Sequence, residues 1–147
     1  GDFRWSHLVL DVNGTLTSDG ALVPGVTQRL CALSSKVTVH LLTADTRGTA
    51  SEMAANLGVD CKRVERGREA EQKRAQVEAL GADQVIAVGN GNNDAMMLSA
   101  ASLGSAILGQ EGLSARALLA ADIVVRDVLD GLDLLLHPIR LLSTLRC

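Results

Sequence analysis

H-L-V-L-D-V-N-G-T-L-T, His7 to Thr17, is the stretch on which the fold turns. Leu8, Val9 and Leu10 form a short apolar run that ends on Asp11, and an Asn-Gly turn follows at once. An uninterrupted apolar run bounded by turn residues is the pattern of a strand buried on both faces, as in a parallel sheet. Working outward from this strand, His7 to Val12, the same alternation repeats. After a Gly-rich, Pro-containing stretch, Val26, Leu30 and Leu33 fall at helical spacing, and Val37 to Leu42 is the next strand. A helix from about Thr46 to Leu57 is stopped by Gly58, Val59 to Val64 is a short strand carrying charges, and Glu69 to Leu80 is a helix ended by Gly81. Val85 to Val88 is a strand, Asp94 to Ala101 a helix, Leu103 to Leu108 a strand of small residues, Leu113 to Ala120 a helix and Ile123 to Val125 a strand; the Leu-rich tail from Leu132 is helical. Strands alternating with helices require right-handed crossovers, and so a parallel sheet covered on both faces. The expectation is α/β: a three-layer α/β/α, Rossmann-like domain with a mainly parallel sheet of about six strands. With no linker, repeat or low-complexity run, residues 1–147 read as a single domain with a short insertion at about 17–25.

Composition narrows the partners. Of the 147 residues 47% are hydrophobic and 21% charged, and the net charge is −3. Aromatic residues make up 1%: Phe3 and Trp5, with none after. Single-stranded nucleic acids and RNA-recognition sheets are read by stacking on aromatic rings, and duplexes by positive charge, so nucleic acid is not the expected ligand. Cys31, Cys61 and Cys147 form neither a C-x-x-C pair nor a Cys/His cluster, which points to reduced thiols. No apolar run approaches the length of a membrane span, and Gly1 to Ser6 lacks the features of a secretory signal. The expected location is the cytoplasm.

Ligands of an open parallel sheet bind at the carboxyl ends of the strands, where strand order reverses. Asp11 closes the first strand, Thr43 the second and Gly89 to Asp94 the fourth, while Lys73 lies in the helix between the third and fourth. Carboxylates, a hydroxyl and a lysine meeting on one edge suit a hard divalent cation and a phosphoryl group. D-V-N-G-T-L-T, Asp11 to Thr17, resembles the phosphorylation motif of the haloacid dehalogenase superfamily, D-x-D-x-[TV]. It is closer still to the D-K-T-G-T-L-T of P-type ATPases, with which five of seven positions coincide. L-T-A-D, Leu42 to Asp45, is similar to the ATPase L-T-G-D, with Ala44 in place of the glycine. Lys73 matches the third motif, although taken alone it reads as a solvated lysine among Glu69, Glu71 and Arg74. V-G-N-G-N-N-D-A, Val88 to Ala95, resembles V-G-D-G-x-N-D-A, and the similarity continues through Ala100 to Gly109 and Ala120 to Val125.

The resemblance implies a magnesium-dependent phosphohydrolase working through an aspartyl phosphate on Asp11. Thr43 and Lys73 would act with it in catalysis; Gly14, Thr43, Ala44, Lys73 and Asn93 would bind the substrate phosphate; Asp11, Asn13, Asn90 and Asp94 would hold Mg²⁺. Only Leu16 to Leu41 separate the first two motifs, too little for a cap domain or the ATPase nucleotide-binding domain. Without a cap, a neighbouring subunit or a large substrate must exclude water, so a homo-oligomer and a phosphorylated small molecule or phosphoprotein are the expected partners. The missing nucleotide-binding domain and the absence of stacking aromatics make ATP the less favoured phosphoryl donor. Two positions depart from the pattern. Asn13 stands where superfamily phosphatases carry their acid/base aspartate, and an amide cannot transfer protons, which implies slow turnover. Asn90 replaces a metal-binding aspartate and removes one negative charge.

A dinucleotide fold would place G-x-G-x-x-G after the first strand, whereas the only G-x-G here, Gly89 to Gly91, follows the fourth. A receiver module would have an acidic pair that Phe3 to Leu10 lacks. The alternative is a catalytically impaired phosphate- or metal-binding or regulatory module, or the partner of a transporter, that keeps the same fold. His7 and His40 read as isolated structural histidines. Leu134, Leu135, Leu141, Leu142 and Leu145 read as core, with a subunit contact there or at Leu22, Val23 and Pro24 as the alternative.

Overall fold

A computed structural model describes residues 5–45 and 48–145; Phe3, Thr46 and Cys147 lie outside the described residues. The strands are β1 (His7–Asp11), β2 (Thr17–Ser18), β3 (Ala21–Leu22), β4 (Thr38–Thr43), β5 (Asp60–Arg63), β6 (Val85–Gly89), β7 (Leu103–Ile107) and β8 (Ile123–Val125). The helices are α1 (Val26–Leu33), α2 (Thr49–Leu57), α3 (Glu69–Leu80), α4 (Ala95–Ala100), α5 (Ala115–Ala120), α6 (Val128–Leu136) and α7 (Pro138–Leu145). Six strands form one parallel sheet in the order β5-β4-β1-β6-β7-β8, and β2 and β3 make a separate antiparallel hairpin. Between β1 and β4 the chain holds only that hairpin, the turn before it and α1.

Alternation along the strands divides the core between the two faces. Leu8, Leu10, Val39, Leu41, Ile86 and Val88 face one way and pack with Val26, Leu30 and Leu33 of α1, Ala50 and Ala54 of α2, and Leu132 and Leu135 of α6. Val9, Leu42, Val85 and Ala87 face the other way, against Val77 of α3, Met97 and Leu98 of α4, and Ala117 of α5. The result is a three-layer α/β/α sandwich. Strand order reverses at β1: the chain builds outward through β4 and β5, then returns to β6 on the other side of β1. The carboxyl end of β1, where Asp11 sits, is therefore the topological switch point.

Three expectations are corrected. The tail becomes helical at Val128, before the leucine-rich run, because the Asp127 side chain accepts from the Asp130 N–H at 2.9 Å and caps α6. Leu135 and Leu141 are core, but Leu142 and Leu145 are 62% and 40% exposed, since α7 lays only one narrow stripe against the domain. The histidines are not isolated. His7 Nδ1 and His40 Nε2 lie 3.0 Å apart across the neighbouring strands β1 and β4, and His40 Nδ1 is 3.6 Å from Asp60 Oδ2. Burial, then His7, pushes the His40 pKa below its ordinary 6.5, against the pull of Asp60. The folded state therefore binds fewer protons at His40 than the unfolded chain does. Its contribution to stability is complete above pH 6.5 and is lost as pH falls through the depressed folded value. The melting temperature is expected to drop between pH 7 and pH 5, and His40→Leu to flatten that drop; an unchanged pH profile in the variant would remove this account. Among the described residues no helix is long and apolar enough to cross a membrane.

Candidate active site

β1 delivers Asp11 to the sheet edge because Leu8, Val9 and Leu10 are fully buried and fix the strand's register against β4 and β6. Beyond Asp11 the chain turns sharply over Val12–Leu16, with Asn13 extended (φ −71°, ψ 125°) and Gly14 left-handed (φ +78°). A side chain at Gly14 would also bring its Cβ within 2.9 Å of Asn90 Nδ2, so the glycine admits both the turn and the approach of the β6 loop. Asp11 is 7% exposed and both its oxygens are engaged. Lys73 Nζ donates to Oδ1 at 2.9 Å, and the Thr15 hydroxyl donates to Oδ2 at 3.2 Å.

Lys73 joins the site. It is 2% exposed, not the solvated lysine that its charged neighbours suggest, and it also donates to Asp94 Oδ1 at 2.8 Å and Asn93 Oδ1 at 3.2 Å. Burial works against its ammonium, but Asp11 and Asp94 outweigh that and hold its pKa above 10.5. Asp94 is wholly buried, and its Oδ2 accepts from the backbone N–H groups of Asn90 and Gly91 at 2.9 and 3.0 Å. Gly89 makes this possible, since a Cβ there would lie 2.5 Å from Asp94 Cγ. Asp94 thus folds the Asn90–Asp94 loop onto itself while anchoring Lys73. Two carboxylates share one lysine; burial and then Asp94 push the Asp11 carboxyl from 3.8 up to about 7, against the lowering by Lys73.

The remaining residues named from sequence take distinct places. Asn93 spends its Oδ1 on Lys73. Thr43 closes β4, one residue past the Leu42 that pairs with Asp11, and its Oγ1 accepts from the Asp45 N–H at 3.0 Å, leaving the hydroxyl proton free to be donated. Asn13 and Ala44 line a cleft of about 490 Å³ together with Thr17, Asp45, Arg66 and Glu69. Sequence reasoning had passed over Thr15, Arg66 and Glu69. Thr15 lies inside the D-V-N-G-T motif, as the hydroxyl four residues after Asp11.

The donor set can be tested against a divalent cation. The single proton of the Thr15 hydroxyl faces two acceptors, Asp11 Oδ2 at 3.2 Å and Asn90 Oδ1 at 3.3 Å, and can satisfy only one. The leftover oxygen, a carboxylate or amide oxygen, is the kind of donor that a hard cation takes. Asp94 fits less well, because its two oxygens are already committed to Lys73 and the loop amides. Among the described residues no cluster of three His, Cys, Asp or Glu side chains is arranged to hold a metal.

Two proteins of Methanocaldococcus jannaschii resemble the chain in sequence. Uncharacterized protein MJ0073 is 49% identical over 63 residues, 43% of this chain and 68% of that protein. Uncharacterized protein MJ0072 is 41% identical over 39 residues, 26% of this chain and 89% of that protein. No family model matches. Among solved structures, the 3-deoxy-D-manno-octulosonate 8-phosphate phosphatase of Moraxella catarrhalis, in complex with magnesium, phosphate and KDO, superposes with a TM-score of 0.74. It is 17% identical, and the match covers 91% of this chain and 87% of that one. The cobalt-bound deoxy-D-mannose-octulosonate 8-phosphate phosphatase of Haemophilus influenzae also gives 0.74, at 14% identity, covering 97% of this chain and 90% of that one. The chain belongs to the family of the two archaeal proteins, and its fold is that of the haloacid dehalogenase superfamily. Within that fold Asp11 and Thr43 end β1 and β4, Lys73 lies on α3, and Asp94 ends the short turn Asn92–Asp94 that follows β6.

Proposed function

We propose that the chain is a haloacid dehalogenase-type phosphohydrolase that takes a phosphoryl group onto Asp11 and releases it slowly. The observation that carries this reading is the buried Asp11–Lys73–Asp94 constellation at the switch point of the sheet, two residues from the Asn13 that lines the neighbouring cleft. A structural ion pair has no need to sit where the fold directs its ligands. In the first step an Asp11 oxygen attacks phosphorus in line with the departing oxygen. Lys73 balances the nucleophile and the transferred group, and the Thr43 hydroxyl donates to a phosphoryl oxygen. Asp94 keeps Lys73 in place and closes the loop that presents Asn90. The Asn13 amide holds the acid/base position without being able to move a proton, so donors with good leaving groups are favoured and the phosphoenzyme persists. In this persistence the site is like the P-type ATPase phosphorylation domain that the motif resembles.

A divalent cation, Mg²⁺ in this reading, is held by Asp11, Asn90 and the Asn13 carbonyl. When bound it supplies positive charge against the phosphoryl oxygens. With Asn90 in place of an aspartate the site carries one charge fewer, so Asn90→Asp is expected to bind Mg²⁺ about tenfold more tightly or better, one charge-assisted contact being worth roughly 1.5 kcal/mol or more. A calorimetric titration with unchanged affinity would remove Asn90 from the site. The substrate is a phosphorylated small molecule or phosphoprotein. The protein is capless and cytoplasmic, and shields its cleft by self-association.

The deciding experiment is incubation with acetyl phosphate or an aryl phosphate and Mg²⁺, followed by intact mass. Wild type is expected to gain one phosphoryl mass that Asp11→Asn cannot gain. No covalent species and no turnover would favour instead a phosphate- or metal-binding module, the reading that the two amides at Asn13 and Asn90 otherwise support.

A further inference from the structure

The loss of the acid at Asn13 leaves the reaction short of a proton for any leaving group poorer than a phenol. The cleft beside Asn13 holds two other carboxylates, Asp45 and Glu69. Glu69 is the first residue of α3, and Lys73 comes four residues later. Positions four apart on a helix lie on one face, one above the other, with side chains leaning toward the N-terminus. Lys73 uses that face to reach Asp11 at 2.9 Å. Glu69 therefore stands one turn before Lys73 on the face that carries the lysine of the nucleophile, and it lines the cleft that Asn13 also lines.

Its surroundings set it apart from the other acids of this region. Glu71 and Glu65 lie against Arg68, and Glu78 against Arg74, all on the exposed surface. Glu69 makes no ion pair among the described residues, and its Oε1 is buried with no hydrogen-bond partner. A buried carboxyl oxygen without a partner is unfavourable, a cost that disappears when a ligand supplies the missing proton or acceptor. Arg66, exposed on the same cleft, makes no ion pair among the described residues either, so one cation remains beside Glu69 to meet a negatively charged substrate.

We propose that Glu69 takes over the acid/base role that Asn13 cannot perform. As an Asp11 oxygen bonds to phosphorus and the P–O bond to the substrate breaks, the Glu69 carboxyl gives its proton to the departing oxygen, which leaves as an alcohol. In the second half a water oxygen bonds to phosphorus and the bond to Asp11 breaks. The water's proton passes to the Glu69 carboxylate, restoring both groups. The inference rests on Asp11 as nucleophile, and it adds alkyl phosphomonoesters, whose leaving groups need protonation and which turn over slowly, to the donors with good leaving groups that react without an acid.

Leaving-group dependence tests it. Wild type, Glu69→Gln and Asp45→Asn are compared on 4-nitrophenyl phosphate, whose phenolate departs without a proton, and on ethyl phosphate, whose alkoxide does not. For Glu69→Gln, kcat/KM on ethyl phosphate is expected to fall 10²-fold or more, the usual contribution of positioned proton transfer. On 4-nitrophenyl phosphate kcat/KM should hold within about threefold, because it reports only the first step, while kcat falls and phosphoenzyme accumulates. The retained aryl value also shows that the variant is folded. Asp45→Asn is expected to leave the ratio between the two substrates unchanged. An equal fall on both substrates, no fall on either, a leaving-group effect confined to Asp45→Asn, or a wild type that accepts phosphate from the aryl ester but has no activity on ethyl phosphate would each overturn the assignment. A wild type that acquires no phosphoryl mass even from acetyl phosphate removes the nucleophile itself, and this proposal with it.

Discussion

Lys73→Met is expected to destabilise the protein by about 3–5 kcal/mol at pH 8, the cost of leaving buried charge without its partner. At this chain length that corresponds to a fall in melting temperature of about 6–20 °C. Lys73 holds Asp11 at 2.9 Å and Asp94 at 2.8 Å, and is itself 2% exposed, so water cannot replace it cheaply. The loss should depend on pH with a definite sign. Asp11 already has its carboxyl raised to about 7, so its contribution to stability is complete below 3.8 and lost as pH rises through about 7. Removing the lysine pushes that carboxyl higher still. The destabilisation should therefore be smaller at pH 6, where one of the two carboxyls takes up a proton, and grow towards pH 8. Adding Asp11→Asn to the Lys73→Met background should recover a large part of the stability, since the like-charge repulsion is gone. Urea unfolding of the four members of this cycle at both pH values measures the coupling directly. Additive effects, with no dependence on pH, would mean that the three groups do not form the mutually dependent cluster described above.

That cluster shows where reading the sequence succeeded and where it stopped. β1, β4 and β6 were legible because strands buried on both faces are runs of Leu, Val, Ile and Ala, and the residues closing them had to lie on one edge. The helix-borne part was less legible. α3 buries only Lys73 and Val77, so its sequence has the look of a solvated helix, and motif position alone drew Lys73 into the site. Asn93 and Asp94 were placed by the same resemblance, but division of labour between them depends on which atoms face which. Asp94 turns Oδ2 to two backbone amides and Oδ1 to the lysine, a geometry that residue spacing does not encode. Contacts that cross strands were beyond reach for a related reason: His7 and His40 are 33 positions apart and meet only because β1 and β4 pair in one register. Leu142 and Leu145 were misjudged because leucine spacing marks an apolar face without saying whether anything covers it.

Asn13→Asp is expected to give the largest gain in rate. The side chain is exposed at the cleft, on a backbone already extended at φ −71° and ψ 125°, and Asp differs from Asn by one atom, so the fold should accept the change without adjustment. A carboxyl there can protonate a leaving group and then take a proton from the attacking water, work usually worth 10²- to 10⁴-fold. How much of that range appears depends on what Glu69 already does. If Glu69 supplies the proton in the native protein, the gain from Asn13→Asp alone stays near the low end, about 10²-fold, because one competent acid partly duplicates the other. In the Glu69→Gln background the same substitution should recover the lost activity on ethyl phosphate and show the larger factor. The measurement is the decay of phosphoenzyme after the donor is removed by rapid gel filtration, followed by quenched intact mass for the native protein, each single variant and the double variant. Decay at the native rate in Asn13→Asp would show that proton transfer at position 13 does not limit release, and the slow step would then have to be sought in how water reaches Asp11 through the cleft.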